Sequence, residues 1–268
     1  MNFPFFRKLK PRKKLGLALG SGGTKGLTII GILETLEKHN IKIDYIAGSS
    51  IGSIVGGAYA IDKDIQKIKK FTLDFPNKSL LSSISDIGSK GGLIKGNKFL
   101  DTIKRYIKDQ KIENLQIPFV AVATDIETGN PVTIDKGDLA EAMRASSSIP
   151  IMMQPFKSDD SELIDGGVSQ QVPVEIVKKM GADVVIAVNL AEETIAHKKR
   201  TGLSSTSYYL NLLIRNLAAE NCRDADIVIA PKFSSINLVD NVKNREALIE
   251  KGRQAAEEKI PEILALLK

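Results

Sequence analysis

The 268-residue sequence has one cysteine and two histidines, and no apolar run approaches the roughly 18 residues of a membrane-spanning helix. Each shortage excludes a class of protein. Cys222 has no partner for an intramolecular disulfide, which suits a reducing compartment and makes the cytosol the expected location, with the inner face of the membrane in reach of a peripheral contact. The N-terminal stretch MNFPFFRKLKPRKK is charged but lacks an apolar segment followed by small residues at a cleavage point, so it is expected to remain on the protein rather than to act as a secretory signal. His39 and His197 leave few ways to build a triad around a histidine, and without clustered His or Cys no metal site is expected.

Acidic residues are missing from the N-terminal stretch as well. Arg7, Lys8, Lys10, Arg12, Lys13 and Lys14 account for the whole formal net charge of +6, so the rest of the chain sums to zero. Two readings stand for residues 1–13: a solvated, disordered leader, or a segment whose Phe3, Phe5 and Phe6 enter a bilayer interface while its cations meet anionic head groups. Nucleic acid is not an expected partner, because no basic stripe with the spacing of a nucleic-acid-binding fold continues into the body.

What remains is an ordinary globular composition, 43% hydrophobic and 26% charged, long enough for one large α/β domain over residues 14–268. Residues 14–20 (KLGLALG) read as a strand ending in glycine, and residues 27–38 carry apolar positions at helical spacing. The pattern repeats with a strand at 41–47, a Gly/Ser turn and a helix at 51–61. Residues 62–113 differ: Lys-rich helical stretches flank LLSSISDIGSKGGLIKGN, which reads as a loop or small cap controlling access. Strands are then expected at 119–124, 131–134, 162–164, 184–188 and 227–229, with helices near 139–145, 174–180 and 208–221 and a final segment at 245–267 that closes the domain. Apolar strands alternating with helices imply a mainly parallel sheet covered on both faces.

Gly48-Ser49-Ser50-Ile51-Gly52 fits G-x-S-x-G at a strand-to-helix turn, where glycines allow a sharp bend and the serine projects from it, so Ser50 is the candidate nucleophile. At the first such turn, GSGGTKG (20–26) fails as a Walker A loop, because Gly26 follows Lys25 where Ser or Thr is needed. It also fails as a dinucleotide fingerprint, because its last glycine comes one position late. Two readings survive, a plain tight turn and an oxyanion hole made by the N–H groups of Gly22, Gly23 and Thr24. Neither histidine suits a base for Ser50: His39 closes the first helix at the end opposite the Gly-rich turn, and His197 sits in the polar segment AHKKR. Asp165, followed by Gly166 and Gly167 at a strand end, is the alternative base, with a simple turn as the competing reading and Asp125 and Asp135 as rival acids.

Taken together, SGGTKG at 21–26, GSSIG at 48–52 and DGG at 165–167 resemble the patatin-like phospholipase family, in its bacterial type, as do AVATDIETG at 121–129, MRASSSIP at 143–150 and PVEIVKKMGADVVIAVNL at 173–190. The resemblance implies a three-layer α/β/α sandwich and a Ser-Asp dyad, with Ser50 as nucleophile, Asp165 as base, and Gly22, Gly23 and Thr24 as oxyanion donors. Lys25 matches the family's basic position, and Ser21 departs from the glycine of many members. A lipid or other acyl ester is the implied substrate, and no cofactor is implied. The rival function is a catalytically idle member of the same fold that senses lipid or binds a partner.

Overall fold

The computed structural model describes residues 12–74, 86, 92–159, 161–191, 203–233 and 244–268. Residues 1–11 of the expected leader, residues 75–85 and 87–91 of the expected cap, and His197 lie outside the described residues.

Strand β1 (Leu15–Leu19) is buried at every position, yet its two faces differ in bulk. Leu15, Leu17 and Leu19 point into one apolar layer, while Ala18 points into the other. The period-2 alternation repeats the asymmetry in β2 (Tyr45–Ser49), with Ile46 against Ala47. Strands buried on both faces need cover on both. The bulky side carries α1 (Leu27–Lys38), α2 (Ile51–Asp62), α3 (Ile65–Asp74), α4 (Asn97–Ile107) and α5 (Leu139–Ser146), and also α8 (Arg245–Glu257) and α9 (Ile260–Leu267). The side of small residues carries α6 (Val174–Lys179) and α7 (Leu203–Asn221). The result is the expected α/β/α sandwich.

The remaining strands are β3 (Gly92–Ile94), β4 (Phe119–Asp125), β5 (Pro131–Ile134), β6 (Ile151–Met153), β7 (Phe156–Lys157), β8 (Glu162–Asp165), β9 (Val184–Val188) and β10 (Ile227–Ile229). The main sheet has the order β10-β9-β1-β2-β4-β8-β7, with β5 also on β4. From β10 to β4 all neighbours are parallel, and β5, β8 and β7 add antiparallel pairs at one edge. Separately, β3 and β6 form a two-stranded parallel ribbon.

One sequence expectation about the elements is corrected. Residues 41–44, read as the start of a strand, bury Ile41 and Ile43 but lie outside the ladder, which opens at Tyr45. The final segment, 245–267, forms α8 and α9, with Pro261 in the first turn of α9, where its missing N–H costs no helical bond. Among the described residues no helix is long and apolar enough to cross a membrane.

Candidate active site

One residue, Ser50, separates β2 from α2, and the chain bends there at φ 53, ψ −123. A positive φ in a non-glycine residue costs about 1–3 kcal/mol and persists where the surroundings over-determine it. Here close packing does so. A Cβ on Gly48 would stand 2.4 Å from Gly52 O, and one on Gly52 would stand 2.2 Å from Leu19 O, so any side chain at either position would push strand and helix apart. The Ser50 N–H donates to Ser146 Oγ at 2.9 Å, and the Ser50 carbonyl accepts from Ser53 N–H at 2.9 Å and from Ser53 Oγ at 2.6 Å.

Asp165 reaches Ser50 through the register of three strands. Along one edge of β4, β2 pairs in parallel as far as Ser49 opposite Val122, and β8 pairs antiparallel as far as Asp165 opposite Ala123. The two strands approach from opposite directions, and their C-terminal ends meet. The next residue after Ser49 therefore lies beside Asp165, although 115 positions separate them in sequence. Ser50 Oγ donates to Asp165 Oδ2 at 2.6 Å, and Gly167 N–H donates to Oδ1 at 2.8 Å. The Asp165 backbone is tied down as well, its N–H donating to Ser148 O at 2.9 Å and its carbonyl accepting from Thr124 Oγ1 at 2.9 Å. The expectation that Asp165 ends a strand of the parallel sheet is thus corrected: β8 runs antiparallel, and it faces Ser50 because it opposes β2 end to end.

Only 4% of Ser50 and 5% of Asp165 is exposed. Burial pushes the Asp165 carboxyl up to about 6, against the lowering effect of the hydrogen bonds from Ser50 Oγ and Gly167 N–H.

The Gly-rich turn borders the same place. After β1, residues Gly23–Gly26 form a 3₁₀ turn entered through Gly22 and leading into α1, with Gly23 at φ 56. Gly26 lies against Ile51, where a Cβ would stand 2.1 Å from Ile51 Cγ1. Ser21 fixes the turn from behind: its N–H donates to Gln171 O at 2.9 Å, and its carbonyl accepts from Gln171 Nε2 at 3.1 Å. The loop thereby connects to the DGG segment, since a Cβ on Gly167 would stand 2.7 Å from Ser21 Oγ. Among the described residues the N–H groups of Gly22, Gly23 and Thr24 make no hydrogen bond, and Thr24 Oγ1 is buried without a partner. Lys25 Nζ lies 4.9 Å from the centre of the Phe233 ring.

The other candidates lie apart. His39 closes α1, a helix of twelve residues and so about 18 Å long, and its Nε2 is 2.9 Å from Glu257 Oε2. Asp125 holds its own turn, its carboxylate accepting from Glu127 N–H, Thr128 N–H and Thr128 Oγ1. Asp135 follows the end of β5. Among the described residues no group of three His, Cys, Asp or Glu is placed to hold a metal ion.

Three residues that site reasoning on the sequence did not single out support the pair. Ser146 accepts the Ser50 N–H and donates to Val122 O at 2.6 Å, so it joins Ser50 to β4. Ser148 carries the carbonyl that accepts the Asp165 N–H. Arg144, 4% exposed, donates to Ser148 Oγ at 2.6 Å. The available signal was the run of three serines after a helix in MRASSSIP, whose hydroxyls need partners once buried.

A family model described as patatin-like phospholipase matches residues 17–178. An uncharacterized NTE family protein of Mycobacterium bovis is 32% identical over 206 residues, covering 77% of this chain and 57% of that protein. Patatin-like phospholipase domain-containing protein 6 of Homo sapiens is 30% identical over 202 residues, 73% of this chain and 15% of that protein. The chain thus spans little more than half the length of the mycobacterial relative. Among solved structures, VipD from Legionella pneumophila shares the fold with a TM-score of 0.57 at 12% identity, covering 94% of this chain and 67% of that one.

Proposed function

The chain belongs to the patatin-like phospholipase family, and from that premise we propose that it is a serine acyl hydrolase acting on lipid esters, with Ser50 as nucleophile and Asp165 as its base. One observation carries the reading: a buried serine on a strained turn donates a 2.6 Å hydrogen bond to a carboxylate that has no histidine between.

In this reading ionised Asp165 takes the Ser50 proton through Oδ2 as Oγ attacks the acyl carbonyl. The carbonyl π pair moves onto oxygen, and the N–H groups of Gly22, Gly23 and Thr24 stabilise the charge that develops there. Collapse of the intermediate breaks the ester C–O bond, and the departing alkoxide takes the proton from Asp165. Water then attacks the acyl-serine, giving its proton to Asp165, and the proton returns to Ser50 as the acid leaves. A carboxyl titrating near 6 suits this cycle, because it is ionised at neutral pH yet more basic than a free carboxylate. The expected cytosolic location belongs to the same proposal.

The test is labelling with a fluorophosphonate probe, located by peptide mass. An adduct on Ser50 that is absent from Ser50→Ala supports the hydrolase. Folded protein that binds acyl ligands but forms no adduct supports the idle, lipid-sensing alternative.

A further inference from the structure

Residues 169–171 follow the Asp165 turn, and each grips a different part of the site. Ser169 Oγ lies 2.8 Å from Thr124 Oγ1, whose own proton goes to Asp165 O. Gln170 O accepts from Ser49 Oγ at 2.6 Å, one residue before Ser50. Gln171 meets Ser21, one residue before Gly22, through both its backbone and its side chain. Thr124 and Ser49 are already held in β4 and β2, whereas Ser21 lies beyond the end of β1.

Gln171 is 4% exposed. Its backbone carbonyl accepts the Ser21 N–H at 2.9 Å, and its Nε2 donates to the Ser21 carbonyl at 3.1 Å. A carbonyl can only accept, which fixes the amide with its nitrogen toward Ser21. Gly167 makes the space for that amide, since a Cβ there would stand 2.7 Å from Gln171 Oε1 and 2.7 Å from Ser21 Oγ. The same glycine donates its N–H to Asp165 Oδ1 at 2.8 Å, so the amide is seated between the turn that holds the base and the Gly-rich turn.

The Ser21 carbonyl and the Gly22 N–H belong to one planar trans peptide, so they point in opposite directions. A donor that holds the carbonyl therefore aims the N–H away from Gln171. Gly22 has no Cβ to oppose rotation of that plane, and the plane is kept in place by its neighbours instead. A hydrogen bond at the carbonyl also polarises the peptide and strengthens its N–H as a donor.

We propose that Gln171 is a positioning residue that fixes the Ser21–Gly22 peptide and so holds the Gly22 N–H toward the oxygen on which charge develops, a role that rests on the acyl-hydrolase reading of Ser50. The test compares the native protein with Gln171→Met, which keeps the length of the side chain and loses the donor, and with Gln171→Glu, which sets acceptor oxygens against the Ser21 carbonyl and draws the Gly22 N–H toward itself. Ser50 is labelled at pH 8 over a range of concentrations of a water-soluble fluorophosphonate, whose phosphoryl oxygen takes the place of the ester carbonyl oxygen, and thermal melting is recorded alongside. Gln171→Met is expected to lower the maximal labelling rate about tenfold to a hundredfold without changing the half-saturating probe concentration. Gln171→Glu is expected to be slower still, because its turned peptide is held in the wrong orientation. A residue that only braces the fold would lower the melting temperature and leave the labelling of the folded fraction unchanged. That result, or a Gln171→Glu variant that labels as fast as the native protein, overturns the proposal, and either variant decides alone if the other does not fold. Absence of labelling in the native protein removes the hydrolase reading and this role with it, whereas native labelling with unaltered variants removes only the role of Gln171.

Discussion

Ser50 and Ile151 both hold a positive φ, and they lie in opposite surroundings. Of the other non-glycine residues of this kind, Lys63 follows a helix end in the left-handed conformation that is ordinary there. At Ser50 the strained backbone is 4% exposed, flanked by glycines in contact with backbone, and hydrogen-bonded at N–H, carbonyl and hydroxyl. Ile151 is 79% exposed and pairs with Gly92 in the ribbon. The first site can therefore store strain rigidly, whereas the second gives up stability for an exposed surface. Substitutions at the first should be costly to activity or folding, and at the second nearly free for both.

The comparison breaks most visibly if the dyad tolerates change. Ser50→Ala is expected to abolish fluorophosphonate labelling and ester turnover, and Asp165→Asn to slow labelling by about 10²–10⁴-fold at pH 8, read by gel fluorescence against time. Gly52→Ala places a methyl against Leu19 O and is expected to cost about 1–3 kcal/mol in urea denaturation, a loss that removes the backbone support of Ser50. Ser146→Ala leaves the buried Ser50 N–H without its acceptor, with an expected cost of about 1–3 kcal/mol and slower labelling in the folded fraction. Ile151→Gly relieves the positive φ but loosens the unfolded chain, so stability should move by less than about 1 kcal/mol and labelling in solution should not change. A large loss of stability there would place Ile151 with Ser50 rather than against it.

Much of the fold was legible because its signals are local. Apolar runs and glycine spacing located β1, α1 and the turn at Ser50 from a few dozen residues. Asp165 was legible as a residue but not in its geometry, since only the register along β4 shows that β2 and β8 meet end to end. Ser146, Ser148 and Arg144 were hidden for the same reason: polar residues at a helix end look solvated until β4 and β8 close over them. Strands as short as β3 and β6 carry no readable period, so β3 was absorbed into the loop expected within 62–113 and β6 was not read as a strand.

The titration of Asp165 gives opposite signs for stability and for reactivity. Its carboxyl titrates higher in the folded chain than the free value of 3.8, so the folded state binds the proton more tightly, and stability falls as pH rises from about 4 to about 6. Asp165→Asn removes that burden and should raise the melting temperature at pH 8. Reactivity runs the other way, because only the ionised carboxylate accepts the Ser50 proton. The most direct test is the rate of Ser50 labelling between pH 5 and pH 8 in the native protein and in Asp165→Asn. The native rate should rise about tenfold through a single step near pH 6, and the slow rate of the variant should lack that step. A native profile with no carboxylate step, or a variant that keeps it, would contradict Asp165 as the base of Ser50.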